Sequence, residues 1–170
     1  MRIVVITDLH ANLPALQALL KVIRTLGYDA LYHTGDAIAI GPQPAECLDL
    51  LLDTPKARFV MGNHETYFLD GLPIPRPSWM SDGEVQHQHW THAHLGPQMR
   101  SAIEAWPYSA QRDVEGVRTA FVHYALDTSG RDFLPPVRPA TDAGLDELFS
   151  SLEAQLVFYG HDHSPSDVQG

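Results

Sequence analysis

Asp8 and His10 stand two residues apart at the end of an apolar run, and metal-ligand residue types recur in the same place after later apolar segments. The groups are Asp8-Leu9-His10, Gly35-Asp36, Gly62-Asn63-His64-Glu65, His123 and Gly160-His161-Asp162-His163. Imidazole nitrogen combined with carboxylate and amide oxygen suits divalent transition metals. The chain carries 10 histidines against 1 cysteine, Cys47, which argues against a thiolate site and excludes an internal disulfide. In extended backbone, residues i and i+2 project to one side. That predicts Asp8 and His10 facing one ion while Leu9 points inward, with His161 and His163 repeating the device. Gly35 and Gly62 suit sharp turns and close backbone approach beside the ions.

Each group needs an element to hold it. Residues 3–7 form a short β-branched apolar run, as in a strand buried on both faces, and Asp8 falls where it ends. From Pro14 the residues Leu16, Leu19, Leu20, Ile23 and Leu26 recur at helical spacing, with Asn12 as N-cap and Gly27 as the stop. Residues 30–33 read as a strand, 44–52 as a helix and 58–61 as a strand, an α/β alternation. The proline-rich stretch 71–77 reads as a stiff surface connector. Residues 82–95 and 97–106 then read as two helices forming a small helical cap, followed by strand 117–124, helix 145–152 and strand 156–159. In open α/β sheets ligands bind beyond the carboxyl ends of the strands, so these separate loops can converge on one site.

Five ordered motifs, Asp-x-His at 8–10, Gly-Asp at 35–36, Gly-Asn-His-Glu at 62–65, the strand-end His123 and Gly-His-x-His at 160–163, resemble those of the calcineurin-like metallophosphoesterases. The stretch Asp8-Leu9-His10-Ala11-Asn12-Leu13-Pro14-Ala15-Leu16, with Gly41-Pro42 after Asp36, is most similar to the small bacterial phosphodiesterase branch. Ala39 stands where the protein-phosphatase branch carries an acidic residue that orients the catalytic histidine, and no arginine follows it closely. The resemblance implies two mixed β-sheets packed as a sandwich flanked by helices, in a single domain over residues 1–170. It implies one ion held by Asp8, His10 and His163, a second held by Asn63, His123 and His161, and Asp36 bridging them. It further implies phosphodiester hydrolysis by a hydroxide bridging two divalent ions, Mn first and Fe, Zn or Ni as alternatives, with His64 unligated and donating a proton to the departing oxygen. A phosphomonoesterase acting on protein or nucleotide substrates, or a non-catalytic metal-binding scaffold, are the alternatives on the same cage. Members of the family continue past the last histidine through further strands and an Asn-Pro-Gly-Ser segment. This chain stops at Gly170, so C-terminal strands are expected to be missing and a sheet edge exposed.

Other residues admit plainer roles. His87, His89, His92 and His94 crowd one predicted helix and match no ligand pattern, and they, like His33, are expected on packed or solvated faces. Cys47 reads as a buried structural thiol, Glu65 as a stabiliser of its helix's first turn, and Tyr124 as a residue narrowing or decorating the pocket. Arg76 and Arg131 are loop arginines without an assigned role. With 11 basic against 21 acidic residues the net charge is −10, which disfavours extended nucleic acid and anionic membranes as partners. A small phosphorylated substrate is expected instead, drawn by the local charge of the ions. The apolar N-terminal run is too short for a signal peptide or membrane span, so the default expectation is cytoplasmic.

Overall fold

Alternation along each strand decides which face meets which layer. In β1 (Ile3–Ile6), Ile3 and Val5 face one way, and Val4 and Ile6 the other. In β2 (Ala30–His33), Ala30 and Tyr32 share the side of Ile3 and Val5, while Leu31 joins Val4 and Ile6. With β3 (Ala57–Phe59) these make a fully parallel sheet of order β1-β2-β3, so all three carboxyl ends lie at one edge. The computed structural model describes residues 1–164 and 167–168 of the chain.

The second sheet has the order β4-β5-β6, from β4 (Ser109–Val114), β5 (Val117–Val122) and β6 (Leu156–Phe158). β4 and β5 form an antiparallel hairpin turned at Glu115-Gly116, both with positive φ, and β6 runs parallel to β5. Tyr32 of the first sheet stacks on Phe121 of the second with ring centroids 3.6 Å apart, and Ile3, Val5, Ala110 and Phe158 complete the layer between the sheets. The expected sandwich of two β-sheets flanked by helices is therefore observed, with three strands in each sheet among the described residues, but only the second sheet is mixed, since the first is parallel throughout.

Helices cover the outer faces. α1 (Leu13–Leu26) and α2 (Pro44–Leu52) bury Leu16, Leu20, Ile23, Leu48 and Leu51 against Val4, Ile6 and Leu31. Asn12 caps α1 by accepting from the Ala15 N–H, and Gly27 ends it at φ +68, as anticipated. α3 (Asn63–Asp70) follows β3. α4 (Asp82–Ala93) lies on α3, whereas α5 (Pro97–Glu104) sends Ile103 into the main core, with Trp106 just beyond it. α6 (Asp142–Leu148) covers the second sheet, where Phe149 and Leu145 pack on Val122, Tyr124 and Val157.

Several element bounds differ from expectation by a few residues, and one strand and one helix differ more, for local reasons. β4 was not anticipated because Gln111, Arg112 and Asp113 are exposed on an edge strand with no apolar alternation. α6 starts earlier than the apolar spacing suggests, because Thr141 caps it by accepting from the Gly144 N–H. Among the described residues no helix is long and apolar enough to cross a membrane.

Candidate metal centre

The first loop after a strand is shaped by backbone, not by extended alternation. Asp8, His10 and Ala11 have φ values of +49°, +49° and +54°. Their N–H groups donate to the carbonyls of Gly35, Asp36 and Ala37 at 3.1, 2.9 and 2.9 Å. The expected extended i, i+2 device is thus replaced by left-handed turns, and the same holds for His161 and His163 at φ +75° and +57°. The outcome is nonetheless shared orientation: Leu9 packs on the core while His10 Nε2 comes to 3.8 Å from Asp8 Oδ1.

After β2 the chain turns through Gly35 at φ +97°, where a Cβ would lie 2.7 Å from the His123 ring and 2.8 Å from Gly62 Cα. Gly62 is equally constrained, since a Cβ there would overlap both the backbone and the carboxylate of Asp36. Two strand ends can approach this closely only with both positions free of side chains. Glu65 fastens them. Its fully buried carboxylate accepts from the N–H groups of Asp36, Ala37 and Gly62 at 2.9 Å each and of Ile38 at 3.3 Å. Burial raises the Glu65 carboxyl above its ordinary value, with the Asp36 charge adding to it, while the amide donor of Asp36 acts in the opposite sense. Glu65 thus does more than steady the first turn of its own helix, and its reach back to residues 36–38 has no local signal in the sequence.

Asp36 sits at the centre. Its Oδ1 accepts from the His64 N–H at 3.0 Å, and its Oδ2 lies 3.3 Å from His123 Nε2, 3.8 Å from His64 Nε2 and 4.0 Å from His10 Nε2. Burial alone would push its carboxyl up, but the surrounding His123, His64 and His10 imidazoles hold it far below the usual carboxylate range. His123 donates from Nδ1 to the Thr34 carbonyl at 2.9 Å, which turns its Nε2 toward Asn63 Oδ1 and His161 Nδ1, both at 3.1 Å. Burial works to lower the His123 imidazole, yet the charge and hydrogen bond of Asp36 carry it up to about 9. On the other side His10 Nε2 and His163 Nε2 face each other at 2.9 Å, with His163 3.3 Å from Asp8 Oδ1. The His161 N–H donates to the Asp8 carboxylate at 3.1 Å.

All the residues anticipated as ligands, Asp8, His10, Asp36, Asn63, His123, His161 and His163, are therefore neighbours in one cluster, with His64 beside them. Three groups within it have ligand atoms lying within 4.8 Å of one another: Asp8, His10 and His163; Asp36, His123 and His161; and His10, Asp36 and His64. The donor set fits divalent ions. Pairs of ring nitrogens that point at each other beside carboxylates are poorly satisfied by protons alone, and burial lowers both His10 and His161 to about 4, leaving their lone pairs free.

The remaining histidines stay outside these groups. His33 is fully buried, accepts from the Gly35 N–H through Nδ1, and has an unpaired Nε2. On α4, His87 stacks on Trp90 and His92 packs edge-on against Phe68. Tyr124 neither narrows nor decorates the pocket: it is buried behind His161 and accepts from the Val137 N–H at 2.8 Å.

Within the cluster, His10, Asp36, Asn63, His64, His161 and His163 line a cavity of about 810 Å³. Ile40, Trp79 and Phe133 give it apolar walls, and Arg131 and Arg138 bring positive charge to it beside the acidic Glu84 and Asp132. Arg131 is held by Asp70 at 3.1 Å, and Arg138 donates to the Asp162 carbonyl at 2.7 Å. Arg76 instead pairs with Asp82. Arg138 and Trp79 carried no signal in the sequence, because single residues in irregular loops have no periodicity to place them.

The family model for calcineurin-like phosphoesterases matches residues 1–165. The chain belongs to this family. This calcineurin-like phosphoesterase is 26% identical over 163 residues to an uncharacterized protein of Methanocaldococcus jannaschii, covering 96% of the chain and 63% of that relative. A crystal structure of a metallophosphoesterase from Sphaerobacter thermophilus is similar with a TM-score of 0.72 and 26% identity, over 97% of this chain and 62% of that one. A shorter likeness, 39% identity over 71 residues, links the chain to the symmetrical bis(5'-nucleosyl)-tetraphosphatase of Actinobacillus pleuropneumoniae serotype 3, covering 40% of this chain and 26% of the relative. The chain thus spans less than two thirds of the length of each of these relatives.

Proposed function

We propose that this phosphoesterase hydrolyses phosphodiesters with two divalent ions, one held by Asp8, His10 and His163, the other by Asn63, His123 and His161, with Asp36 shared between them. The observation that carries the reading is the convergence of Asp8, His10 and His163, and of Asp36, His123 and His161, beside a cavity of about 810 Å³, far larger than a phosphate group needs. Manganese suits the nitrogen and oxygen donors, as do Fe, Zn and Ni. When bound, the ions supply Lewis acidity to the phosphoryl oxygens and lower the pKa of an attacking water.

The chain's own groups do the rest. Arg131 and Arg138 attract an anionic substrate that the acidic surface of the protein would otherwise repel. The apolar lining at Ile40, Trp79 and Phe133 suits the organic part of an ester. His64, as an imidazolium, passes the proton on Nε2 to the departing oxygen as the P–O bond breaks, and the ring is left neutral. The likeness to a bis(5'-nucleosyl)-tetraphosphatase supports a dinucleoside polyphosphate as a substrate to test.

The test combines metal analysis with turnover of bis(p-nitrophenyl) phosphate and p-nitrophenyl phosphate under added manganese. Bound metal and faster diester cleavage are expected. His64→Ala should retain metal and lose about 10²- to 10⁴-fold in kcat. Faster monoester cleavage would move the reading to a phosphomonoesterase, and protein with neither metal nor turnover would overturn it.

A further inference from the structure

The proton donor proposed above is steadied from an unexpected direction. Gln88, on α4, is 1% exposed, and its side-chain Nε2 lies 2.7 Å from His64 Nδ1. The other end of that amide, Oε1, is buried without a partner. Burying a half-satisfied amide is unfavourable, and a leucine would fill comparable space without that penalty. The contact with His64 is what distinguishes glutamine from an apolar residue at this position.

We propose that Gln88 is the positioning residue of His64, and this rests on the reading of His64 as the proton donor. A ring whose Nδ1 is engaged by the Gln88 N–H must carry its own proton on Nε2. That nitrogen faces the cluster, 3.8 Å from Asp36 Oδ2. Tyr67 meets the ring edge-on at a centroid distance of 5.9 Å and His10 at 5.2 Å, so packing limits its tilt while Gln88 limits its rotation. An amide can serve Nδ1 as a donor through Nε2 or as an acceptor through Oε1, so this one side chain can hold the ring in either tautomer. No acidic residue is needed at position 39, where the chain has alanine. The partner comes instead from a helix 24 residues further along.

Two readouts test this. In metal-free protein at a pH where the ring is neutral, ¹⁵N NMR of the histidine side chains should show His64 as a single tautomer protonated at Nε2, and Gln88→Leu should mix the tautomers. In manganese-loaded protein, Gln88→Leu should lower kcat by about 10- to 100-fold, the scale for partners that orient functional imidazoles. KM should stay near its original value, and the loss should be larger for a phenyl than for a p-nitrophenyl leaving group, since the poorer leaving group depends more on the proton. Gln88→Glu, which can accept from Nδ1 but cannot donate to it, should restore most of kcat while moving the neutral ring to the Nδ1–H tautomer. In a His64→Ala background, Gln88→Leu should have no further effect. An unchanged tautomer with unchanged leaving-group dependence, or additive losses in the double variant, would overturn the proposal. If His64→Ala itself leaves turnover intact, the proton-donor role fails, while the NMR result still reports whether Gln88 orients the ring.

Discussion

His33 shows how a buried side chain next to a charged cluster shapes stability without joining it. Its imidazole is fully enclosed, and burial lowers it to about 4, against the opposing pull of Asp8 and Asp36 and with help from His123 and His10. The folded state therefore favours the neutral ring. Its contribution is complete above the unfolded value near 6.5 and is lost as pH falls from there through about 4. The span corresponds to about 3 kcal/mol at most. Urea midpoints measured at pH 7.5 and pH 4.5 should fall more for the wild type than for His33→Asn, which keeps an acceptor for the Gly35 N–H and cannot titrate. Equal falls would assign the acid sensitivity to other groups. Asp36 is the sharper test of the cage itself. Asp36→Asn keeps an oxygen for the His64 N–H but offers a single acceptor oxygen, so bound metal and turnover should both drop, read by elemental analysis of the purified variant.

At the scale of elements, the joint between the β2 and β3 ends carries the geometry. Glu65→Gln would set an amide NH₂ against N–H groups that now meet a carboxylate oxygen, a mismatch expected to cost about 3 kcal/mol in urea unfolding. Gly62→Ala would drive a methyl group into Asp36 and should lower metal affinity more than it lowers the melting temperature, which titration of metal into the stripped protein would read. Much of this level was legible beforehand. α2 and β2 follow their predicted bounds because proline in the first turn and a short apolar run are local signals. β4 was missed because an exposed edge strand carries little apolar patterning, and the left-handed turns at Asp8 and His10 were missed because non-glycine residues adopt them only when neighbouring backbone rewards it.

Across the whole molecule, the candidate cage joins two sheets. Asp8, Asp36 and Asn63 follow strands of the first sheet, and His123 and His161 follow strands of the second. Ions bound there would resist separation of the layers. At 100-fold excess over Kd, each site would add about 2.7 kcal/mol, or roughly 5–10 °C in Tm for a domain of this size. Thermal melts with manganese and with chelator should differ by at least that much, and coincident melts would argue against occupied sites.

The identity of the ligand groups and their position after apolar strands could be read from short windows of residues, because metal-donor chemistry and strand propensity are local properties. Their pairing could not. His10 and His163 are 153 residues apart in the chain and 2.9 Å apart at their ring nitrogens, a proximity created by the packing of two sheets through Tyr32 and Phe121. The same packing brings Glu65 back to residues 36–38 and Gln88 onto His64, contacts between segments whose local patterns contain nothing of one another.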